Sequence, residues 1–142
     1  MAFDLFAKIG EFFEGDPAVR RVADDPALSA EILLLFRMVL ADGEVAEAEL
    51  ATLKRICADT FGIGEESFGA VVSYLQDFGY ETTAPQALST FRGYPRERRV
   101  QLARHLVEIA KADNELSTHE VRFLARAVEV LQLEPHEIVP AV

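Results

Sequence analysis

A pattern that occurs twice constrains this chain more than any other feature: an apolar helical run ends on Ala-Asp, then Gly or Asn, then Glu and one more apolar residue. The first copy reads ILLLFRMVLADGEV and the second LVEIAKADNEL, with Asp42 and Glu44 recurring as Asp113 and Glu115, an offset of 113 − 42 = 71 residues. The same offset carries Glu49 to Glu120 and Leu53 to Leu124, while FGI at 61–63 answers LQL at 131–133 one residue out of step. A duplicated helix, loop, helix unit cannot bury its apolar face alone, so the two copies should pack against each other around one core. No stretch alternates apolar and polar residues strictly enough for a half-buried strand. The expectation is an all-α fold: a single helical bundle of seven or eight helices with an internal pseudo-two-fold repeat of helical hairpins. Repeat one should cover about residues 26–79 and repeat two about 95–140, within one domain spanning 1–142.

Each loop has local work that needs no ligand. Gly43 or Asn114 can adopt the left-handed conformation that ends a helix. Ser117 and Glu120 have the spacing of a capping box, in which each side chain satisfies a first-turn amide of the other residue. The matching capping position in the first copy is Ala46, which has no hydroxyl, although Glu47 and Glu49 still complement the positive end of the helix dipole. Val45 and Leu116 are expected to anchor the helix starts on Leu50 and Val121.

Further elements follow from breakers and periodicity. Leu5, Phe6, Ile9, Phe12 and Phe13 make an apolar face on an amphipathic helix over 3–14, which GDP at 15–17 stops. Asp25 as N-cap and Pro26 at the first position start a helix through ALSAEILLLFRMVLA that is apolar on most sides and therefore central. Helices are expected from about Ala46 to Thr60, through ESFGAVVSYLQDFG, in one short piece between 81 and 95, from Pro95 through IAKA, and from Ser117 to Leu131. A last turn or two should come from EPHEIVP.

Composition narrows the function. Fourteen basic residues against 24 acidic ones give a formal charge of -10, which disfavours nucleic acid and anionic membrane as partners. The N-terminal face carries more acid than base, so peripheral membrane contact is not expected either. The single cysteine, Cys57, allows no intrachain disulfide and reads as a small core residue. No apolar run approaches a membrane span and the N-terminus lacks a signal-peptide pattern, so a cytoplasmic protein is expected. His105, which corresponds to Leu34 of the first copy, reads as a partly buried helix residue, while His119 and His136 read as surface residues. No zinc spacing, nucleophile elbow or phosphate loop occurs, and no enzyme activity is expected.

VLADGEVAEAELATLKRI and IAKADNELSTHEVRFLARAVEVLQLEPHEI resemble the two copies of the signature of the TerB-like (tellurite resistance protein B) family, over roughly residues 30 to 138. The resemblance implies a helical bundle, an association with tellurite resistance or envelope stress, and a metal-binding surface built from acidic residues. Protein-binding duties are implied as well, from related domains that sit beside chaperone J-domains. Ala46 and Asn114 depart from the family pattern. Carried onto this chain, the metal ligands would be Asp42, Glu44, Asp113 and Glu115, with backbone carbonyls and water completing the shell of a divalent cation. Their position at helix N-termini opposes a cation, and their spacing is not that of an EF-hand. A second candidate surface is FRGYPRERR, where Arg92, Arg96, Arg98 and Arg99 crowd a helix N-terminus that disfavours positive charge. Those arginines are expected either to pair with the chain's own acids or to bind an acidic protein partner. The expected role is a non-enzymatic stress-response or interaction module; the alternative is a metal-free scaffold docking through the N-terminal helix or the arginine cluster.

Overall fold

The computed structural model describes residues 16–41, 45–78, 82–112 and 116–138, and the N-terminal segment 3–14 lies outside them. Among the described residues there are eight helices and no strand: α1 Pro17–Asp24, α2 Pro26–Val39, α3 Glu47–Phe61, α4 Glu65–Phe78, α5 Ala84–Ser89, α6 Arg96–Ala110, α7 Thr118–Leu131 and α8 Pro135–Ile138. The all-α bundle is thus the observed architecture. None of these helices is long and apolar enough to cross a membrane.

Side-chain caps explain four of the eight helix starts among the described residues. The Asp25 carboxylate accepts from the amides of Ala27 and Leu28, both at 3.1 Å, and Pro26 occupies the first turn, where a missing N–H costs nothing. The same Asp-Pro device opens α1, where Asp16 accepts from Ala18 at 2.8 Å. Periodicity alone assigns no element to residues 18–24, because a helix of eight residues carries too short a pattern. At α7 the expected capping box is present: the Ser117 hydroxyl accepts from the Glu120 amide at 3.1 Å, and Glu120 accepts from the Ser117 amide at 3.0 Å. α5 has a second capping box, Thr83 with Gln86, and α3 begins behind Ala46 with no side-chain cap.

α2 is the central rod, packing on α1, α3, α4, α5 and α6. Ile32, Leu34, Leu35, Met38 and Val39 are wholly buried along it. They meet Leu53, Ile56 and Cys57 of α3 and Leu102, Leu106 and Ile109 of α6 in one continuous core. Each such side chain contributes about 1.5–3 kcal/mol when fully removed from water. α6 also carries α7 and α8.

The 71-residue offset maps the end of α2 at Val39 onto the end of α6 at Ala110, and the start of α3 at Glu47 onto the start of α7 at Thr118. Both second helices end on a residue in the left-handed region, Gly62 with φ 67° and Gln132 with φ 57°, one residue out of step. The apolar residue after each, Ile63 or Leu133, is buried and its amide returns to the helix end. Packing around the hairpins differs. α3 lies on α6, whereas α7 has no extensive contact with α2 among the described residues and rests on α5, which itself packs on α2.

Candidate functional site

The four acidic candidates Asp42, Glu44, Asp113 and Glu115 lie outside the described residues, so the site is bounded by what flanks it. Behind each loop the third residue of the following helix is a buried carboxylate: Glu49 and Glu120 are each 1% exposed. Burying a carboxylate is expensive unless charge or hydrogen bonds compensate it. Glu120 obtains one such bond from the Ser117 amide through Oε1, and the helix N-terminus supplies favourable dipole charge. Its Oε2 makes no hydrogen bond among the described residues. The apolar anchors are shallow: Val45, Leu116 and Val121 remain 51, 53 and 47% exposed, while Leu50 packs on the core. No group of three His, Cys, Asp or Glu side chains suited to a metal ion occurs among the described residues. His119 and His136 are exposed.

Three of the four clustered arginines are held by groups of their own chain. The Arg96 guanidinium pairs with Glu137 of α8, and that of Arg98 with Glu31 of α2. Arg99 donates from Nε to the Tyr94 carbonyl at 3.0 Å and from Nη1 to the Leu131 carbonyl at 2.5 Å, where α7 ends. Positive charge at the start of α6 is therefore balanced by two carboxylates and, at Arg99, by backbone carbonyls that include the negative end of α7. Arg21 gives the end of α3 the same treatment, donating to the Phe61 carbonyl. Arg92 is exposed, and Arg96 keeps 56% of its side chain in solvent.

A buried polar cluster joins the two hairpins, and no motif in the chain announces it. Glu31 of α2 is fully buried, with Oε1 facing the Arg98 guanidinium as an ion pair that lacks hydrogen-bond geometry. Its Oε2 lies 3.0 Å from His105 Nδ1; a carboxylate only accepts, so the ring nitrogen is the donor. The His105 ring in turn stands edge-on to Phe61, with centroids 6.0 Å apart. Burial, reinforced by the nearby Glu31 charge, pushes the Cys57 thiol up to about 12, which keeps it protonated and unreactive at neutral pH. The 71-residue offset pairs Glu31 with Leu102 and His105 with Leu34, both leucines fully buried. One weaker signal is present: Glu31 falls three and four residues from Leu28, Ala27, Leu34 and Leu35, on the face that must be buried.

No curated protein and no solved structure matches this chain. The family described as Tellurite resistance protein TerB matches it over residues 28–141, which takes in both acidic loops, the two hairpins apart from the first two residues of α2, and the buried Glu31 cluster between them. A helical bundle with acids ahead of α3 and α7, matched over most of its length, belongs to the TerB tellurite resistance family.

Proposed function

We propose that this chain is a non-enzymatic stress-response module whose two acidic loops bind a divalent cation through Asp42, Glu44, Asp113 and Glu115. The observation that carries this reading is the buried carboxylate behind the second loop: Glu120 is 1% exposed, and its Oε2 makes no hydrogen bond among the described residues. Glu49, buried to the same degree, stands at the equivalent place behind the first loop. A hard cation favours such oxygen donors and offsets the repulsion among carboxylates concentrated at one helix start. The dipole of a helix N-terminus works against the ion, so affinity depends on loop charge rather than on the helix. Membership of the TerB family supports the stress-response role.

Calorimetric titration with Ca2+, Mg2+, Mn2+ and Zn2+ on the native chain, and on the Asp42→Asn, Asp113→Asn double variant, tests the assignment. Saturable heat that disappears in the double variant is the expected result. Heat that persists there, or none in the native chain, removes the cation from the function.

The second reading is a metal-free scaffold that docks an acidic partner through Arg92, Arg96, Arg98 and Arg99, or a partner through the N-terminal segment. The exposure of Arg92 and of the outer part of Arg96 favours the arginine route. Arg98 and Arg99 are committed inside the bundle and contribute less to it.

A further inference from the structure

A cleft of about 430 Å3 opens between α3, α6 and α8, with Ala112, the residue before Asp113 of the second acidic loop, at one end of its lining. Its wall holds Arg55, Arg104 and Lys111 against one carboxylate, Glu108, in a chain whose formal charge is -10. Among the described lining residues the local sign is thus the reverse of the global one. Glu108 is answered within the wall by the Arg55 guanidinium. Glu137, close by on α8, has its carboxylate on Arg96, and its carbonyl accepts from Arg104 Nε at 3.1 Å, which fixes the Arg104 guanidinium at the rim. Lys111 caps the end of α6 and is exposed, with no ion pair among the described residues. The helix dipole accounts for a lysine at that end, and no described residue accepts a hydrogen bond from its ammonium group. The apolar part of the lining comes from Val107, half-buried, and Ile138, buried.

From this combination we propose that the cleft binds a small organic anion: a carboxylate or phosphate head group on an apolar body. The head group pairs with Lys111 and Arg104, and the body covers Val107 beside the buried Ile138. An inorganic ion alone would leave that apolar surface wet, and a neutral molecule would leave the excess positive charge unanswered. The volume falls within the range of about 300–1,000 Å3 usual for small-molecule sites. The assignment uses none of the loop carboxylates, and its test needs no cation.

Amide chemical shifts of the full chain, followed by NMR during titration, test it with three probes: octanoate, which has both head and body, octanol, which has the body alone, and inorganic phosphate, which has the charge alone. Octanoate should give saturable shifts at Arg55, Val107, Lys111 and Ile138 and bind more tightly than either partial probe. Lys111→Gln should weaken octanoate roughly tenfold, the size of one charged hydrogen bond. Lys111→Arg should restore most of the loss, which separates a role for the charge from damage to the fold. Absence of saturation at these amides, unchanged affinity in Lys111→Gln, or failure of Lys111→Arg to recover it would overturn the proposal. So would an aspartate-rich peptide that shifts the same amides and binds more tightly than octanoate, because the occupant would then be a protein segment.

Discussion

The hairpins α2–α3 and α6–α7 keep the same frame and divide the polar work unequally. At matching positions the first has Glu31, Leu34, Ala46 and Gly62, and the second has Leu102, His105, Ser117 and, one residue out of step, Gln132. Glu31 and His105 therefore meet across the α2–α6 contact, while their counterparts Leu102 and Leu34 are plain buried leucines. An apolar contact between two related helices tolerates sliding and exchange of partners. A single carboxylate that must find both a guanidinium and an imidazole does not. The shared frame goes with the apolar positions, and the contacts of Glu31 with Arg98 and His105 are polar exceptions that have no counterpart at Leu102 and Leu34.

The largest effect should come from removing that asymmetry halfway. Glu31→Leu leaves Arg98 and His105 without their carboxylate, and losing one partner of a buried charge pair typically costs about 3–5 kcal/mol. The low end is expected, because Arg98 is 28% exposed and can be rehydrated. Replacing the whole cluster, Glu31→Leu with Arg98→Met and His105→Leu, makes the contact resemble its apolar counterpart and should recover stability to within about 1 kcal/mol of the native chain, since a well-packed apolar replacement is often neutral. Urea denaturation of the three proteins measures both quantities. A neutral Glu31→Leu would mean that the cluster does no work in the fold.

How far the sequence reveals these features depends on the range of each interaction. The capping box of Ser117 and Glu120 and the Asp25-Pro26 start span at most three residues, and both are visible as spacing. The bundle class and the central position of α2 follow from apolar periodicity. α1 escapes that reasoning although Asp16-Pro17 repeats the Asp25-Pro26 device, because GDP serves equally well as a stop and as a cap. The partners of the arginines are out of reach for a different reason. Arg99 meets Leu131 across 32 residues and His105 meets Glu31 across 74, and no local pattern encodes which buried acid a distant cation will find. The acidic loops are the most visible feature of all, yet Asp42, Glu44, Asp113 and Glu115 fall outside the described residues, so their ligand chemistry rests on residue type.

The two capping positions give a smaller and reciprocal test. Ser117→Ala removes the acceptor for the Glu120 amide and should cost about 1 kcal/mol. Ala46→Ser, facing Glu49 at the equivalent spacing, should gain up to about the same amount if the start of α3 can close into a capping box. Thermal melts of both variants make the comparison. A stabilising Ala46→Ser would show the starts of α3 and α7 to be interchangeable. A destabilising one would show that the backbone ahead of α3 has a different job from its counterpart.

The helix ends offer the smallest and cleanest comparison, because Gly62 and Gln132 adopt the same left-handed backbone with different side chains. That conformation costs an L residue with a Cβ about 1 kcal/mol, and glycine nothing comparable. Gln132→Gly should therefore stabilise the chain by somewhat less than about 1 kcal/mol, since glycine also gains freedom in the unfolded state. Gly62→Ala should destabilise it by a similar amount. Its added Cβ would meet only the Arg21 guanidinium, at 3.7 Å, which is ordinary contact, so the cost is one of backbone conformation and not of collision. Chemical denaturation resolves both signs. A Gly62→Ala penalty well above about 2 kcal/mol would point to loss of the Arg21 bond to the Phe61 carbonyl as well, and would make the end of α3 a tertiary joint as much as a helix terminus.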